Sequence, residues 1–296
     1  MDTTKPLEGQ VAVVTGGGRG LGRAFAATLA GAGASVAVLA RSPEELAETV
    51  AAIHASGGQA RAFAVDVTDA ADVRAAIAAV ELSLGPVDLL VNNAGWIGPI
   101  GPFWEIEPET WWRAMDVNLR GSLLCAHAVL PGMVARRSGR IVNIATTLAP
   151  FAYLSSYMCS KAALVRAMEC LAAEAKPHGV AIFSIAPGTV RTAMSSHSLN
   201  SLEGREWLPW YRRIFDEGLD VPAERPAALV LALASGAFDE LSGLFLTVFD
   251  DLPGIAKEID RVRREQLHSL RVRSLTAGRA PAPLAAIRAA AERAKE

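Results

Sequence analysis

The sequence predicts an α/β protein with a doubly wound, parallel sheet of about seven strands. Short apolar runs alternate with helical stretches along most of the chain. Glycine-rich or polar motifs directly follow the apolar runs, and sheets of this kind bind ligands at the carboxyl ends of their strands. The chain has 296 residues, of which 51% are hydrophobic and 20% are charged, a composition typical of one globular domain.

Charge, histidine and cysteine content weigh against several kinds of function. A net charge of −2 gives no reason to expect a nucleic-acid partner. The five histidines lack the spacing of a metal site, and the three cysteines are too few for a disulfide framework. No apolar run is long enough to cross a membrane, and the N-terminus does not resemble a signal peptide. We therefore expect a cytoplasmic protein without a metal.

The first strand and the first helix enclose a run of glycines. A strand over Gln10–Thr15 leads into Gly16–Gly22 (GGGRGLG), and an alanine-rich helix follows over 23–32. Glycines let the backbone approach a pyrophosphate, and the helix N-terminus supplies N–H donors and a positive dipole end. This arrangement predicts dinucleotide binding; a glycine turn without a ligand is the alternative.

Arg41 follows the second predicted strand, Ser35–Ala40. A carboxylate at this place would bind the ribose 2′-hydroxyl of NAD, whereas a guanidinium suits the 2′-phosphate of NADP. Arg19 in the glycine run would add a second positive charge. The alternative is that both arginines simply lie in solvent.

Two further strands end in polar motifs. The next predicted elements are a helix over 43–55, a strand over 60–65, a helix over 70–84 and a strand over 87–91. Asp66 after the third strand would bond an adenine amino group, unless Asp69 or Thr68 merely caps the next helix. The motif NNAG, 92–95, follows the fourth strand.

An aromatic loop, Trp96–Trp112, would wall a substrate pocket at this edge of the sheet. Alternatively, Trp111 and Trp112 begin the next helix, expected over about 109–135, and pack in its core. Pro131 should kink that helix.

The stretch from Arg140 to Lys161 is the candidate catalytic centre. A fifth strand over 141–144 ends in the hydroxyls of Thr146 and Thr147, and the helix that follows carries Tyr157 and Lys161. Residues four apart share a helix face. The ammonium group should therefore lower the phenol pKa, which makes a better general acid or base.

The rest of the chain completes the sheet and then changes character. A sixth strand over 180–186, a helix over 224–235 and a seventh strand over 243–249 are expected, with a helical substrate lid at about 193–220. The lid segment could instead pack against a second subunit. Residues 1–254 would form the domain. Residues 255–296 hold ten Lys or Arg and five Asp or Glu, which predicts a basic extension with helices over about 255–275 and 283–295.

Together these motifs resemble the short-chain dehydrogenase/reductase family, with its Rossmann-like fold. The resemblance covers roughly 8–248 and rests on these features: TGGGRGLG (15–22), Asp66-Val67, NNAG (92–95), Asn118, the Tyr157/Lys161 pair and PGTVRT (187–192). By similarity, Tyr157 would be the acid/base, Lys161 would lower its pKa, and Asn118 would hold a water for a proton relay. A strand-end hydroxyl, Thr146 or Thr147, would steady the substrate oxygen.

The resemblance also implies a cofactor site, a small-molecule carbonyl or alcohol substrate, and a homodimer or homotetramer formed through the helices that start near Glu109 and Ser155. The implied cofactor residues are Gly16, Arg19, Gly20, Leu21, Gly22, Arg41, Asp66, Val67, Asn93, Ala94, Gly95, Tyr157, Lys161, Pro187, Gly188, Val190 and Thr192. The family usually has Ser where Thr146 stands, and the loop from Thr146 to Tyr157 is slightly short.

We therefore expect an oxidoreductase that transfers hydride between NADP(H) and a carbonyl or secondary alcohol, on a bulky and largely apolar substrate. The alternatives are the same reaction with NAD(H), or a non-redox isomerase, cyclase or cofactor-sensing protein on the same fold.

Overall fold

The computed structural model describes residues 5–271. Seven parallel strands form one sheet in the order β3-β2-β1-β4-β5-β6-β7. The strands are β1 Val11–Thr15, β2 Ser35–Ala40, β3 Gln59–Ala64, β4 Val87–Asn92, β5 Gly139–Ile144, β6 Val180–Ala186 and β7 Phe245–Thr247. The doubly wound α/β fold predicted from the sequence is confirmed.

Helices cover both faces of the sheet. They are α1 Gly20–Gly31, α2 Pro43–Ala55, α3 Ala70–Leu84, α4 Pro108–Met115, α5 Gly121–Arg136, α6 Ser155–Ala175, α7 Ala193–Asn200, α8 Leu202–Trp207, α9 Tyr211–Asp216, α10 Glu224–Ala234, α11 Leu252–Lys257 and α12 Ile259–Glu265. Among the described residues, no helix is both long and apolar enough to cross a membrane.

Side chains along β1 point alternately to the two faces of the sheet, and the core accordingly has two layers. Val14 packs in the cluster that contains Phe25 of α1, and Val13 packs in the cluster on the other face, which contains Met168 of α6. Successive strand residues point to opposite faces, so a strand buried on both sides must be apolar throughout, as β1 is. The apolar runs in the sequence are strands for this reason.

The predicted helix over 109–135 is interrupted. A π-helical turn, Asp116–Arg120, separates α4 from α5 and holds the buried Asn118. Such turns are frequent at functional sites. Pro131 lies inside α5, which continues to Arg136.

The C-terminal region differs from the prediction. The first helical stretch is two short helices, α11 and α12, and it ends at Glu265 rather than near 275. The chain then runs along the free edge of β7, where the Phe245 N–H donates to the His268 carbonyl oxygen at 2.7 Å. The segment after α12 therefore pairs with part of the β7 edge, which a longer helix would have left unpaired. The second predicted helix, 283–295, lies outside the described residues.

Gly22 is the glycine of α1 that tolerates no side chain. A Cβ built on it would lie 2.1 Å from the Gly16 carbonyl oxygen and 2.6 Å from Asn93 Nδ2, whereas a Cβ on Gly31 would meet nothing within 4 Å. We expect Gly22→Ala to displace the glycine run and to lower the free energy of unfolding. Gly31→Ala should leave it unchanged or raise it by up to about 1 kcal/mol, the usual gain of Ala over Gly in a helix.

Urea unfolding of the two variants beside the wild-type protein measures this difference. Equal stabilities for both variants would show that the run can move away from α1 without cost.

Candidate active site

Hydrogen bonds join the ends of β1 and β4, where the strand order reverses. The Thr15 hydroxyl accepts from the N–H groups of Asn93 and Ala94, each at 3.0 Å. The Asn93 side-chain amide donates to the carbonyl oxygens of Thr15 (2.9 Å) and Gly16 (3.2 Å). Ligands bind doubly wound sheets at this reversal. Asn93 was predicted to bind cofactor, but its side-chain amide instead holds the glycine run in place.

The N-terminus of α1 is open to an anion. Arg19 precedes the helix and makes no side-chain cap, so the first N–H groups of α1 are left to bind a ligand. Gly20 has φ +53°, and a Cβ built on it would lie 3.4 Å from Thr192 Cγ2. The Pro187–Thr192 segment after β6 therefore reaches the glycine run. These residues fit a dinucleotide pyrophosphate.

Asp66 and Arg41 follow β3 and β2 at the same edge. The Thr68 N–H and hydroxyl donate to Asp66 Oδ1 at 2.9 and 2.8 Å. These bonds, helped by the positive charge of Arg41, hold the pKa of Asp66 below its usual range. Asp66 therefore stays ionised, and Arg41 lies close enough for its positive charge to lower the pKa of Asp66. Val67, next in the chain, is buried.

Tyr157 and Lys161 lie on the first two turns of α6, beside the end of β5. Tyr157 is half-buried and Lys161 is buried. The ammonium Nζ donates to the Ile144 carbonyl oxygen at 2.6 Å and lies 5.8 Å from the centre of the Tyr157 ring. The strand end and the helix are thus tied together through the lysine.

The expected fall in the pKa of Tyr157 is wrong, because the pKa is raised instead. Burial, and then the neighbouring Tyr211, raise the pKa of Tyr157 to about 12, although a hydrogen bond with the Thr146 side chain acts in the opposite direction. Burial also lowers the pKa of Lys161 to about 8. With a pKa of about 8, the Lys161 ammonium loses its proton before the phenol titrates, so its charge does not lower the pKa of Tyr157.

The two threonines after β5 have different surroundings. Thr146 is half-buried and lies beside Tyr157, as its effect on the tyrosine pKa shows. Thr147 is exposed, and its hydroxyl accepts from the Ala149 N–H at 3.5 Å in a local turn. Of the two hydroxyls, that of Thr146 is the one that lies beside the Tyr157 phenol.

Asn118 fixes the loop that follows β4. Its side chain accepts from the Trp96 N–H and donates to the Trp96 carbonyl oxygen, both at 2.8 Å, and it donates to Ser160 Oγ on α6 at 3.0 Å. A Cβ built on Gly95 would lie 3.2 Å from Asn118 Oδ1 and 3.6 Å from Lys161 Nζ. Gly95, Asn118 and Lys161 are therefore neighbours, and a water-holding role for Asn118 stays a prediction.

Aromatic side chains join the loop after β5 to the helices over 193–216. Phe151 stacks on Trp210 at 4.9 Å, and Tyr153 packs on Trp207 at 4.8 Å between ring centres. Tyr153 holds a left-handed φ of +67°. Such strain persists only where surrounding contacts impose it. The helices at 193–216 thus cover the side of the site next to Tyr157.

The alternative in which Trp111 and Trp112 both pack in the core of the next helix is wrong, although both residues lie on α4. Trp112 is 58% exposed. Trp111 donates from its indole N–H to Ser155 Oγ at 2.9 Å, at the start of α6. Trp111 therefore anchors α4 to α6, because an indole that reaches a polar partner is held at that place.

Two features of the site were not expected from the sequence, namely the effect of Tyr211 on Tyr157 and the position of Glu45. Tyr211 of α9 acts on the pKa of Tyr157 across more than fifty positions of chain, and burial raises the pKa of Tyr211 itself to about 12. Glu45 of α2 forms an ion pair with Arg19. The only signal for Glu45 was its place in the first turn of a helix, where acidic residues commonly face the helix dipole.

Comparisons with known proteins agree with this geometry. The model of the short chain dehydrogenase family matches residues 10–202. The chain belongs to the short-chain dehydrogenase/reductase family. A short chain dehydrogenase of Pseudocercospora fijiensis (strain CIRAD86) is 35% identical over 264 residues, covering 86% of this chain and 85% of the relative.

Two more similarities cover most of the chain. A galactitol 2-dehydrogenase of Rhizobium johnstonii is 37% identical, over 82% of this chain and 94% of the relative. A crystal structure of an actinorhodin polyketide ketoreductase with NADPH superposes with a TM-score of 0.74 and 30% identity, covering 81% of this chain and 95% of that one. The chain is thus an oxidoreductase of this family.

The buried ammonium of Lys161 gives a test of the site electrostatics. Burial lowers its pKa from 10.5 to about 8, so the folded state binds this proton less tightly than the unfolded chain does. The cost to stability is fully present below pH 8 and disappears as the pH rises to 10.5. Lys161→Met should therefore gain most over the wild-type protein at pH 7, and about 3 kcal/mol of that difference should vanish by pH 10.5.

Urea unfolding at a series of pH values measures this change, with the exposed Lys176→Met as control. A stability difference for Lys161→Met that stays constant between pH 8 and 10.5 would contradict the lowered pKa.

Proposed function

We propose that the protein is an NADP(H)-dependent oxidoreductase that interconverts a carbonyl compound and a secondary alcohol, with Tyr157 as general acid and base. One observation carries the proposal: Tyr157, Thr146 and Lys161 meet at the carboxyl edge of the sheet, next to the open N-terminus of α1. A nicotinamide dinucleotide bound at that edge supplies the hydride.

Tyr157, Thr146 and Lys161 each have a defined part in the proposed reaction. The raised pKa keeps the Tyr157 phenol protonated at neutral pH, so it can give a proton to the substrate oxygen during reduction. The Thr146 hydroxyl donates a hydrogen bond to the same oxygen and stabilises the charge that develops on it. Lys161 holds the strand end and positions α6 through the Ile144 carbonyl.

The cofactor preference rests on charge. Arg19 and Arg41 lie at the edge where the adenosine ribose of a bound dinucleotide would be recognised, and a guanidinium suits a 2′-phosphate. The structural relative crystallised with NADPH supports this choice. The aromatic surface formed by Phe151, Trp207 and Trp210 favours a bulky, largely apolar substrate.

Tyr157→Phe tests the acid/base assignment. The variant keeps the ring but loses the proton, so hydride transfer from NADPH to a panel of ketones should become undetectable while NADPH still binds. Tyr153→Phe is the control, because Tyr153 is an exposed tyrosine of the neighbouring loop. Turnover is followed by the loss of NADPH absorbance, and binding by calorimetry.

Wild-type turnover in Tyr157→Phe would remove this residue from the chemistry. Binding of NADPH without turnover by the wild-type protein on any ketone or alcohol would instead favour a non-redox role.

Thr146 and Thr147 can be separated by matched substitutions. Thr146→Val removes one hydrogen-bond donor at nearly constant shape and should lower turnover about a hundredfold or more. Thr146→Ser should keep most of the activity, since the hydroxyl remains. Thr147→Val should have little effect, because this side chain is exposed. Steady-state kcat for the three variants decides the assignment, and a damaging Thr147→Val beside a tolerated Thr146→Val would reverse it.

A further inference from the structure

Glu45 lies against the glycine run at the edge of the proposed cofactor site. The Gly17 N–H donates to the Leu39 carbonyl oxygen at 3.1 Å, which places the run beside the end of β2. A Cβ built on Gly18 would lie 2.9 Å from Glu45 Cβ, and Thr49 Oγ1 donates to the Gly18 carbonyl oxygen at 2.9 Å. Helix α2 therefore packs its first turns directly on the backbone expected to hold the dinucleotide.

The charges at this edge do not match those expected from the sequence alone. Arg19 Nη1 lies 3.1 Å from Glu45 Oε1, with 65% and 35% of the two side chains exposed. Arg41 is exposed and makes no ion pair within residues 5–271. Of the two arginines, Arg19 is thus neutralised by Glu45, whereas Arg41 lies near the ionised Asp66 without an ion pair to it.

A carboxylate at this place affects the two nicotinamide dinucleotides in opposite ways. It repels the 2′-phosphate of NADP(H) and competes with that phosphate for Arg19. It accepts a hydrogen bond from the ribose 2′-hydroxyl of NAD(H), the part played elsewhere by an acidic residue after the second strand. No carboxylate follows β2 in this chain, but Glu45 brings one to the same edge from α2.

We propose that Glu45 sets the balance between NADP(H) and NAD(H), by holding Arg19 away from a 2′-phosphate and by offering its own carboxylate to a 2′-hydroxyl. This inference rests on the proposed function, because it concerns the cofactor site of that reaction. If Glu45 acts in this way, the preference for NADP(H) over NAD(H) is weaker than two unpaired arginines would produce. The weakening is then due to one side chain that lies outside the sequence motifs.

A purely structural role for Glu45 is the competing explanation. Glu45 lies in the first turn of α2, where an acidic residue stabilises the helix through its dipole. Glu48 on the same helix is a matched control, because it forms a similar ion pair with Arg23 at 2.9 Å and is 66% exposed. A helix-stabilising effect would change the binding of both dinucleotides together.

The experiment compares Glu45→Gln with Glu48→Gln by calorimetric titration with NADPH and with NADH. Gln keeps the shape of Glu and removes its charge. Glu45→Gln should tighten NADPH binding about fivefold, as loss of a partly screened charge interaction of about 1 kcal/mol implies, and should leave NADH binding unchanged or weaker. Glu48→Gln should change neither. An equal change for both dinucleotides, or no change, in Glu45→Gln overturns the proposal.

The double variant Arg19→Gln/Glu45→Gln separates the two parts of the proposal. If Glu45 acts through Arg19, removing its charge should tighten NADPH binding less in the Arg19→Gln background. An undiminished effect there overturns the part assigned to the ion pair. Wild-type protein that binds neither dinucleotide overturns this proposal together with the proposed function, whereas binding without turnover overturns the proposed function alone.

Discussion

The hydrogen bonds between the ends of β1 and β4 are the constraint on which the site depends. The Thr15 hydroxyl and the Asn93 amide hold the glycine run against the motif that follows β4. That motif continues to Gly95, which borders Asn118 and Lys161. Groups that would bind the dinucleotide and groups that would handle the proton are thereby held at fixed separations. Reactive groups held in place in this way avoid much of the entropic cost of bringing reactants together.

The loop after β5 and the helices at 193–216 pack together and would cover the substrate side. The strained Tyr153 lies between the strand-end threonines and the catalytic helix, and it packs on Trp207. Tyr211 from the same group of helices raises the pKa of Tyr157. The helices that would select the substrate therefore also influence the acid/base group. A substitution that removes one of these aromatic rings would alter the reaction as well as its specificity, since both depend on how closely the helices approach Tyr157.

The order of the strands and the place of each motif could be predicted, because a strand buried on both faces must be apolar and its ligand motif must follow its carboxyl end. The pKa of Tyr157 could not be predicted. The spacing to Lys161 implied a lowered value, but burial raises the pKa of Tyr157 and lowers that of Lys161. The ion pair of Glu45 with Arg19 and the effect of Tyr211 on Tyr157 were not expected, because these partners are distant in sequence and only packing shows which side chains share a surface.

The C-terminal segment that runs along β7 has a consequence for how the sheet meets other molecules. An edge strand with unpaired backbone groups is a template for pairing with another chain. At the β7 edge, the His268 carbonyl oxygen already accepts a hydrogen bond from the Phe245 N–H, so this donor cannot pair with another strand. At the opposite edge, β3 carries the exposed charge of Arg61, which discourages a neighbouring strand because pairing would bury it. Each edge thus carries a feature that discourages pairing with another strand, while the carboxyl ends of the strands remain open to small molecules.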